Sequence, residues 1–235
     1  MQVEIFSDVV CPWCYIGKRR FEQALADFPH RDEVEVTWRA FELDPTAPVG
    51  GGGPVIDSLA EKYGVSVAQI RASQANITDI AASVGLEYHL EDSVRGSTLQ
   101  AHELLHLAHD RGVQDALKER LLRAYFTEGE APFDAETLVR LAADAGLDPD
   151  EAGAALADRT FAQAVADDLE LARSFGIRGV PFFVIDRAFA VEGAQPAELI
   201  REALDQAWTA SHPLTMVTTP ASADDAQCLD GTCAV

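Results

Sequence analysis

Positive charge is scarce in this chain. Its 235 residues hold 18 lysines and arginines against 39 aspartates and glutamates, a net charge of −21. A surface this acidic repels nucleic acid and anionic membranes, so neither is expected as a partner. Long apolar runs are also absent: no stretch approaches the roughly 20 consecutive apolar residues of a membrane helix. Met1-Gln2 runs straight into an alternating pattern, without the basic and apolar regions of a signal peptide, so the protein is expected in the cytosol. No internal repeat is present. Cysteine is sparse, with four residues in two close pairs, Cys11/Cys14 and Cys228/Cys233. Cytosolic thiols are kept reduced, so such pairs suggest redox chemistry or metal binding more than structural staples.

What is present is enough apolar residue, 48% of the chain, to bury a sizeable core. Residues 3–8 alternate and read as a strand. Cys14, Phe21, Leu25 and Phe28 then fall at near-helical spacing. Residues 34–43 alternate again and end at Asp44-Pro45. Strand–helix–strand favours a parallel pair with a right-handed crossover. Gly50 to Pro54 is a loop, and residues 55–176 read as helices. Asp134 and Asp148 stand where N-caps belong, the second followed by Pro149 in the first turn. Phe161, Val165, Leu169, Ala172 and Phe175 form an apolar stripe read as core. Sheet character returns at Pro181–Ile185 and Ala188–Val191 around a turn at Asp186-Arg187, and a last helix runs from Pro196 to Trp208. The expected fold class is α/β, with a thioredoxin-like order and a large all-helical insertion. Residues 1–54 and 177–212 would form the thioredoxin-like domain. Residues 55–176 would form the insertion, with its last helix on the sheet, and residues 213–235 a flexible tail.

The chemistry centres on Cys11-Pro12-Trp13-Cys14, which follows a strand and opens a helix. A thiolate is the nucleophile in thiol chemistry. The first helical turn offers unpaired N–H groups and the positive end of the helix dipole. Thiols so placed ionise with pKa values of roughly 3.5–7.5 instead of about 8.5, so Cys11 is expected to be the exposed, easily ionised attacking group. Pro12 suits the first turn. Cys14 lies one turn on, within reach to resolve a mixed disulfide. Half of a zinc site and an inert buried pair are the alternatives, but no further close pair follows before Cys228. A second signal is Gly179-Val180-Pro181 ahead of the strand Phe182-Phe183-Val184. A cis bond there would turn the Val180 N–H and C=O outward to pair with an extended peptide; an ordinary trans proline is the alternative.

Together these segments resemble the DsbA-like thiol–disulfide oxidoreductase family, in its FrnE-type branch. The resemblance rests on Ser7-Asp8-Val9-Val10-Cys11-Pro12-Trp13-Cys14-Tyr15-Ile16-Gly17 and on Trp38 to Pro45. Ala101-His102, Ala124-Tyr125-Phe126, Gly179 to Phe183 and Gly193 to Pro196 extend it, so that it covers residues 3–208. It implies dithiol–disulfide exchange at Cys11 and Cys14 opposite Pro181, with Pro12, Trp13 and Val180 meeting substrate. Protein or small-molecule disulfides would be the substrates, and glutathione or a thioredoxin-type system the recycling partner. No cofactor is implied. Relatives that lose the paired cysteines act as glutathione-linked isomerases, and a glutathione-dependent isomerase or transferase using Cys11 is the rival reading. A peptide-binding holdase is another. Ser97 departs from the family pattern, which has Asn before Thr98.

His102-Glu103-Leu104-Leu105-His106 matches the zinc-protease pattern H-E-x-x-H, with His109 one turn on. The continuation such proteases need is missing. The helix is read instead as core, with Leu104, Leu105 and Leu107 inward and the histidines at its edge, and no metal site is expected. Cys228-Leu229-Asp230-Gly231-Thr232-Cys233 is a second pair, in a tail of a kind some FrnE-type relatives share. Its expected role is a shuttle exchanging with Cys11/Cys14, and a passive pair is the alternative.

Overall fold

A computed structural model describes residues 1–213 of the chain, and the tail pair Cys228/Cys233 lies outside the described residues. Four strands form one mixed sheet: β1 (Gln2–Ser7), β2 (Glu35–Ala40), β3 (Phe182–Ile185) and β4 (Phe189–Glu192), in the order β2-β1-β3-β4. β1 pairs parallel with β2, Ile5 opposite Trp38, and antiparallel with β3, Ile5 opposite Phe183. Helix α1 (Pro12–Ala26) connects the parallel pair. Seven helices separate β2 from β3: α2 (Val55–Tyr63), α3 (Val67–Ser83), α4 (Leu99–Asp110), α5 (Gln114–Phe126), α6 (Ala135–Asp144), α7 (Pro149–Ala157) and α8 (Ala162–Ser174). Helix α9 (Ala197–Ser211) follows the sheet. None of these helices is long and apolar enough to cross a membrane.

Local chemistry explains the boundaries. Asp134 and Asp148 cap α6 and α7 by accepting from the backbone N–H of Thr137 and Glu151. Asp186 and Arg187 both take left-handed φ values, 48° and 53°. Two such residues in succession give the turn whose twist suits a tight hairpin. β2 is shorter than the alternation of residues 34–43 suggests. The chain leaves the sheet after Ala40, and the Leu43 N–H goes to the Asp8 carboxylate at 2.8 Å.

β1 is buried on both faces. Val3 and Ile5 join Phe21, Phe28, Phe183, Ile200 and Leu204 in a core under α1 and α9. Phe6 points the other way, toward Ala172, Ile177 and Val184. Phe175, assigned to the core from its spacing, is instead 39% exposed, because α8 ends at Ser174 and the chain turns at Gly176. Tyr15 and Ile16 of α1 pack with Tyr88, Leu122, Tyr125 and Phe126, while Val9 packs with α4 to α7. The start of α1 is therefore wedged between sheet and helices.

Edge strands expose unpaired backbone groups that must be covered. Helix side chains do this for β2. Gln114 of α5 accepts from Trp38 N–H and donates to Trp38 C=O, both at 2.9 Å, and Asp168 of α8 accepts from Ala40 N–H at 2.8 Å.

Candidate functional site

The dithiol stands where β1 hands over to α1. Cys11 is the N-cap residue, with extended backbone angles and no side-chain cap; Pro12 occupies the first turn, and Cys14 N–H donates to the Cys11 carbonyl at 3.0 Å. That turn brings both sulfurs to the same end of the helix. Both are buried: Cys11 is 4% exposed and Cys14 is fully enclosed. The expectation of an exposed Cys11 is thereby corrected, because the 180–181 loop covers the helix start. The Cys11 Sγ lies 3.4 Å from the Val180 carbonyl oxygen, and the Val180–Pro181 peptide is cis. Pro12 and Trp13 are partly exposed. The Pro12 carbonyl accepts the Tyr88 hydroxyl at 2.7 Å, which ties the motif to the helical region.

Gly17 lets the proline loop approach α1. A methyl group at that position would lie 2.7 Å from Pro181 Cγ and 3.6 Å from Ala194 Cβ. Arg20, one turn on, donates to the Ala194 carbonyl in the segment between β4 and α9.

The two sulfurs titrate as a pair. At Cys11 the hydrogen bond to Cys14, burial and the charge of Cys14 push ionisation well above the ordinary thiol value, and Asp8 adds to this. Burial opposes ionisation at Cys14 as well. There the hydrogen bond from Cys11, the charge of Lys118, the Ser7 hydroxyl and a backbone hydrogen bond from Asp8 outweigh it, and the thiol falls below its ordinary value. The expectation that the helix end alone makes Cys11 the easily ionised thiol is corrected for this reason: the strongest anion-stabilising groups converge on its partner. Lys118 of α5 is completely buried, its ammonium 5.5 Å from the centre of the Trp38 ring, and burial brings its pKa down to about 8.

Asp8 and His102 complete the buried shell. Burial raises Asp8, but hydrogen bonding and charge from His102 and the Leu43 N–H hold it below the usual carboxylate value. His102 Nε2 lies 3.5 Å from Asp8 Oδ1 and 3.1 Å from the Phe41 carbonyl oxygen, and burial lowers its pKa. The H-E-x-x-H residues are thus occupied separately. His106 Nε2 is 3.0 Å from Asp168, and Glu103 is 2.8 Å from Arg159. His109 is exposed. The reading of these histidines at the helix edge fails for His102, which faces the dithiol shell; Leu104, Leu105 and Leu107 are buried. Among the described residues no group of His, Cys, Asp and Glu is arranged to hold a metal ion. Ser97 accepts the Leu99 N–H at 3.5 Å and so serves the start of α4.

Residues 2–205 match the family of the DSBA-like thioredoxin domain. The chain belongs to that family. The fold is accordingly the thioredoxin-like DsbA fold, and the family is one of thiol–disulfide oxidoreductases. A probable DsbA oxidoreductase from Streptomyces coelicolor is 48% identical, with a TM-score of 0.86 over 96% of this chain and 97% of that one. The uncharacterised protein YwbO of Bacillus subtilis is 29% identical over 87% of this chain and 96% of its own length. A cytosolic disulfide reductase, DsbM from Pseudomonas aeruginosa, solved with GSH, shares the fold at 19% identity and a TM-score of 0.59, covering 90% and 98% of the two chains.

Within this DsbA-like frame, sequence reasoning missed Ser7, Asp8, His102 and Lys118 as members of one shell. One signal was available. Gln114, Leu117, Lys118, Leu121 and Tyr125 share a helical face, and all are buried. A lysine in the middle of such a stripe is a charge placed in a core position, which is rarely neutral in consequence.

Proposed function

We propose that this protein is a cytosolic thiol–disulfide oxidoreductase of the FrnE-type branch, acting on protein disulfides through Cys11 and Cys14. The observation that carries the reading is the approach of the Cys11 sulfur to the Val180 carbonyl at 3.4 Å, beside Pro181. An extended peptide pairing with the Val180 backbone as an added strand brings its disulfide to that sulfur, with Pro12 and Trp13 as neighbouring contact surface. Cys11 is the attacking sulfur because it is the outer member of the pair. As it attacks, its proton passes across the shared hydrogen bond to Cys14. A Cys11–substrate disulfide forms and the other substrate sulfur leaves as thiolate. Cys14 then loses its proton, attacks Cys11 and expels the second substrate thiolate. The substrate gains two electrons and the protein keeps the Cys11–Cys14 disulfide, which glutathione or a thioredoxin-type reductant reverses. The tail pair Cys228/Cys233 serves as the relay to that reductant.

Turnover of a protein disulfide with glutathione tests the reading. Cys11→Ser is expected to abolish turnover and Cys14→Ser to accumulate a Cys11-linked substrate. Full turnover by Cys11→Ser would overturn it. Retained peptide binding without any turnover in the unaltered protein would favour a holdase. Glutathione-dependent conversion of small electrophiles in place of disulfides would favour the isomerase or transferase.

A further inference from the structure

Most lysines and arginines of this acidic chain pair with a carboxylate. Among the described residues Arg20, Lys62, Arg71, Lys118 and Arg178 do not. Lys118 is enclosed, Arg20 is bonded to the Ala194 carbonyl, and Lys62 and Arg71 lie on α2 and α3. Arg178 belongs to the loop that covers the dithiol. It is exposed and stands two residues ahead of Val180, whose carbonyl oxygen is 3.4 Å from Cys11 Sγ. Its segment is tied at both ends: Ile177 N–H donates to the Ala172 carbonyl at 3.0 Å, and Gly193 N–H to the Pro181 carbonyl at 2.8 Å. A guanidinium with all its donors open is therefore fixed beside the attacking sulfur.

The tail carries the opposite charge. Residues 214–235 contain no lysine or arginine, and they place Asp224 and Asp225 shortly before Cys228 and Asp230 shortly after it. The tail starts at the end of α1 remote from the dithiol. Along α9, Arg201 donates to the Asp27 carbonyl, and Trp208 stacks on His30 at 3.9 Å, past the last turn of α1. The 15 residues of α1 span about 22 Å. The chain from His212 to Cys228 can extend to roughly 55 Å, which is enough to bring that cysteine round to Cys11.

We propose that Arg178 is the docking residue for the protein's own acidic tail, receiving Asp224, Asp225 and Asp230 and so guiding Cys228 to Cys11 within one molecule. This rests on the relay proposed above and names the contact that directs it. Once docked, the Cys228 thiolate attacks Cys11 Sγ of the Cys11–Cys14 disulfide. The Cys11–Cys228 bond forms, the Cys11–Cys14 bond breaks, and Cys14 leaves as a thiolate that takes up a proton. The Cys233 thiolate then attacks Cys228, the Cys228–Cys233 bond forms, and Cys11 leaves as thiolate. The Cys11/Cys14 pair gains two electrons and the tail pair loses two, which a thiol reductant restores. An exposed ion pair is weak and salt-sensitive. It suffices here because a tethered segment is already concentrated near its site and needs only a bias in where it settles.

The full chain carrying Cys14→Ser and Cys233→Ser keeps Cys11 and Cys228 alone. It is equilibrated, dilute, in mixtures of reduced and oxidised glutathione, quenched in acid, and its Cys11–Cys228 disulfide is quantified by mass spectrometry. The glutathione ratio at half-oxidation gives the effective concentration of one sulfur at the other. Arg178→Glu in this background is expected to lower that value by about threefold to tenfold at low salt, because attraction at an exposed site becomes repulsion. Asp224→Lys with Asp225→Lys should lower it similarly. Joined to Arg178→Glu, the same tail reversal should restore it, and about 1 M salt should bring all four proteins together. An effective concentration indifferent to Arg178→Glu would overturn the proposal while leaving the relay in place. So would a tail reversal that fails to rescue, or a disulfide formed between two chains instead of within one. If no Cys11–Cys228 disulfide forms in any background, the relay itself falls, and the docking with it.

Discussion

Gly17→Ala puts a single methyl group between the helix that carries the dithiol and the loop that faces it. The added carbon would sit 2.7 Å from Pro181 Cγ. Carbon atoms pack at roughly 3.5–4.0 Å, so the ring or the helix must move by about 1 Å. The proline ring has few internal freedoms with which to yield. Inserting a carbon into a packed core costs roughly 1–3 kcal/mol. Against that stands the gain of alanine over glycine inside a helix, about 0.5–1 kcal/mol. The net expectation is a loss of about 1 kcal/mol, which for a chain of this size lowers the melting temperature by roughly 2–4 °C. Function should suffer more than stability, since a misplacement of about 1 Å at a reacting centre can cost roughly a hundredfold. Peptide disulfide exchange is therefore expected to fall by about tenfold to a hundredfold. Alkylation of Cys11 by iodoacetamide should hold or rise, because the displaced 180–181 loop is what covers that sulfur. Calorimetry and paired rate measurements check this. A variant that melts higher than the parent and turns over peptide disulfides at full rate would refute the reasoning.

Three further outcomes follow from particular contacts. Gln114→Leu removes the bonds to Trp38 N–H and C=O and to the Leu105 carbonyl. It should lower the unfolding free energy by about 3–5 kcal/mol in denaturant titration, because buried backbone groups lose their partners; a loss below about 1 kcal/mol would show that β2 does not depend on this side chain. Asp168 is held below its ordinary pKa: burial raises it, but His106, the Ala40 N–H and Arg39 outweigh burial. A lowered carboxylate contributes stability above its unfolded pKa of about 3.9 and loses it as pH falls below that value. Asp168→Asn should therefore be markedly less stable at pH 7 and the gap should close on acidification below about pH 4; a gap constant with pH would contradict the ion-pair account. Ending the chain at residue 213 should slow turnover of a disulfide substrate under a thiol reductant, and Cys14→Ser in the full chain should trap a Cys11–Cys228 or Cys11–Cys233 disulfide. Equal turnover with no trapped species would remove the relay.

The helical region is functional scaffolding as well as an insertion. β2 depends on Gln114 and Asp168 for its outer edge, the Pro12 carbonyl is held by Tyr88, and a cation that favours ionisation of Cys14 comes from α5. Without these helices the sheet would expose an edge and the dithiol would lose its shell.

Several features follow from the sequence alone because short-range chemistry decides them. Pro12 after an extended Cys11 starts α1, and Asp134 and Asp148 start α6 and α7. The alternation around Ile5 and the turn at Asp186-Arg187 place three of the four strands within a residue or two of their observed bounds; β2, read four residues too long, is the exception. The strand–CxxC–helix order likewise points to thiol chemistry before any contact is known. Only the tertiary structure brings distant polar and charged groups to bear on the pair. The helix end argues for Cys11, but Lys118 of α5 acts on the pair together with Ser7 and Asp8 of the β1 end only when the helices close over that end. The same closure turns His102 from a surface residue into a partner of Asp8, and the 180–181 loop buries Cys11. Burial and long-range electrostatics depend on which distant segments meet, and local pattern carries no record of that.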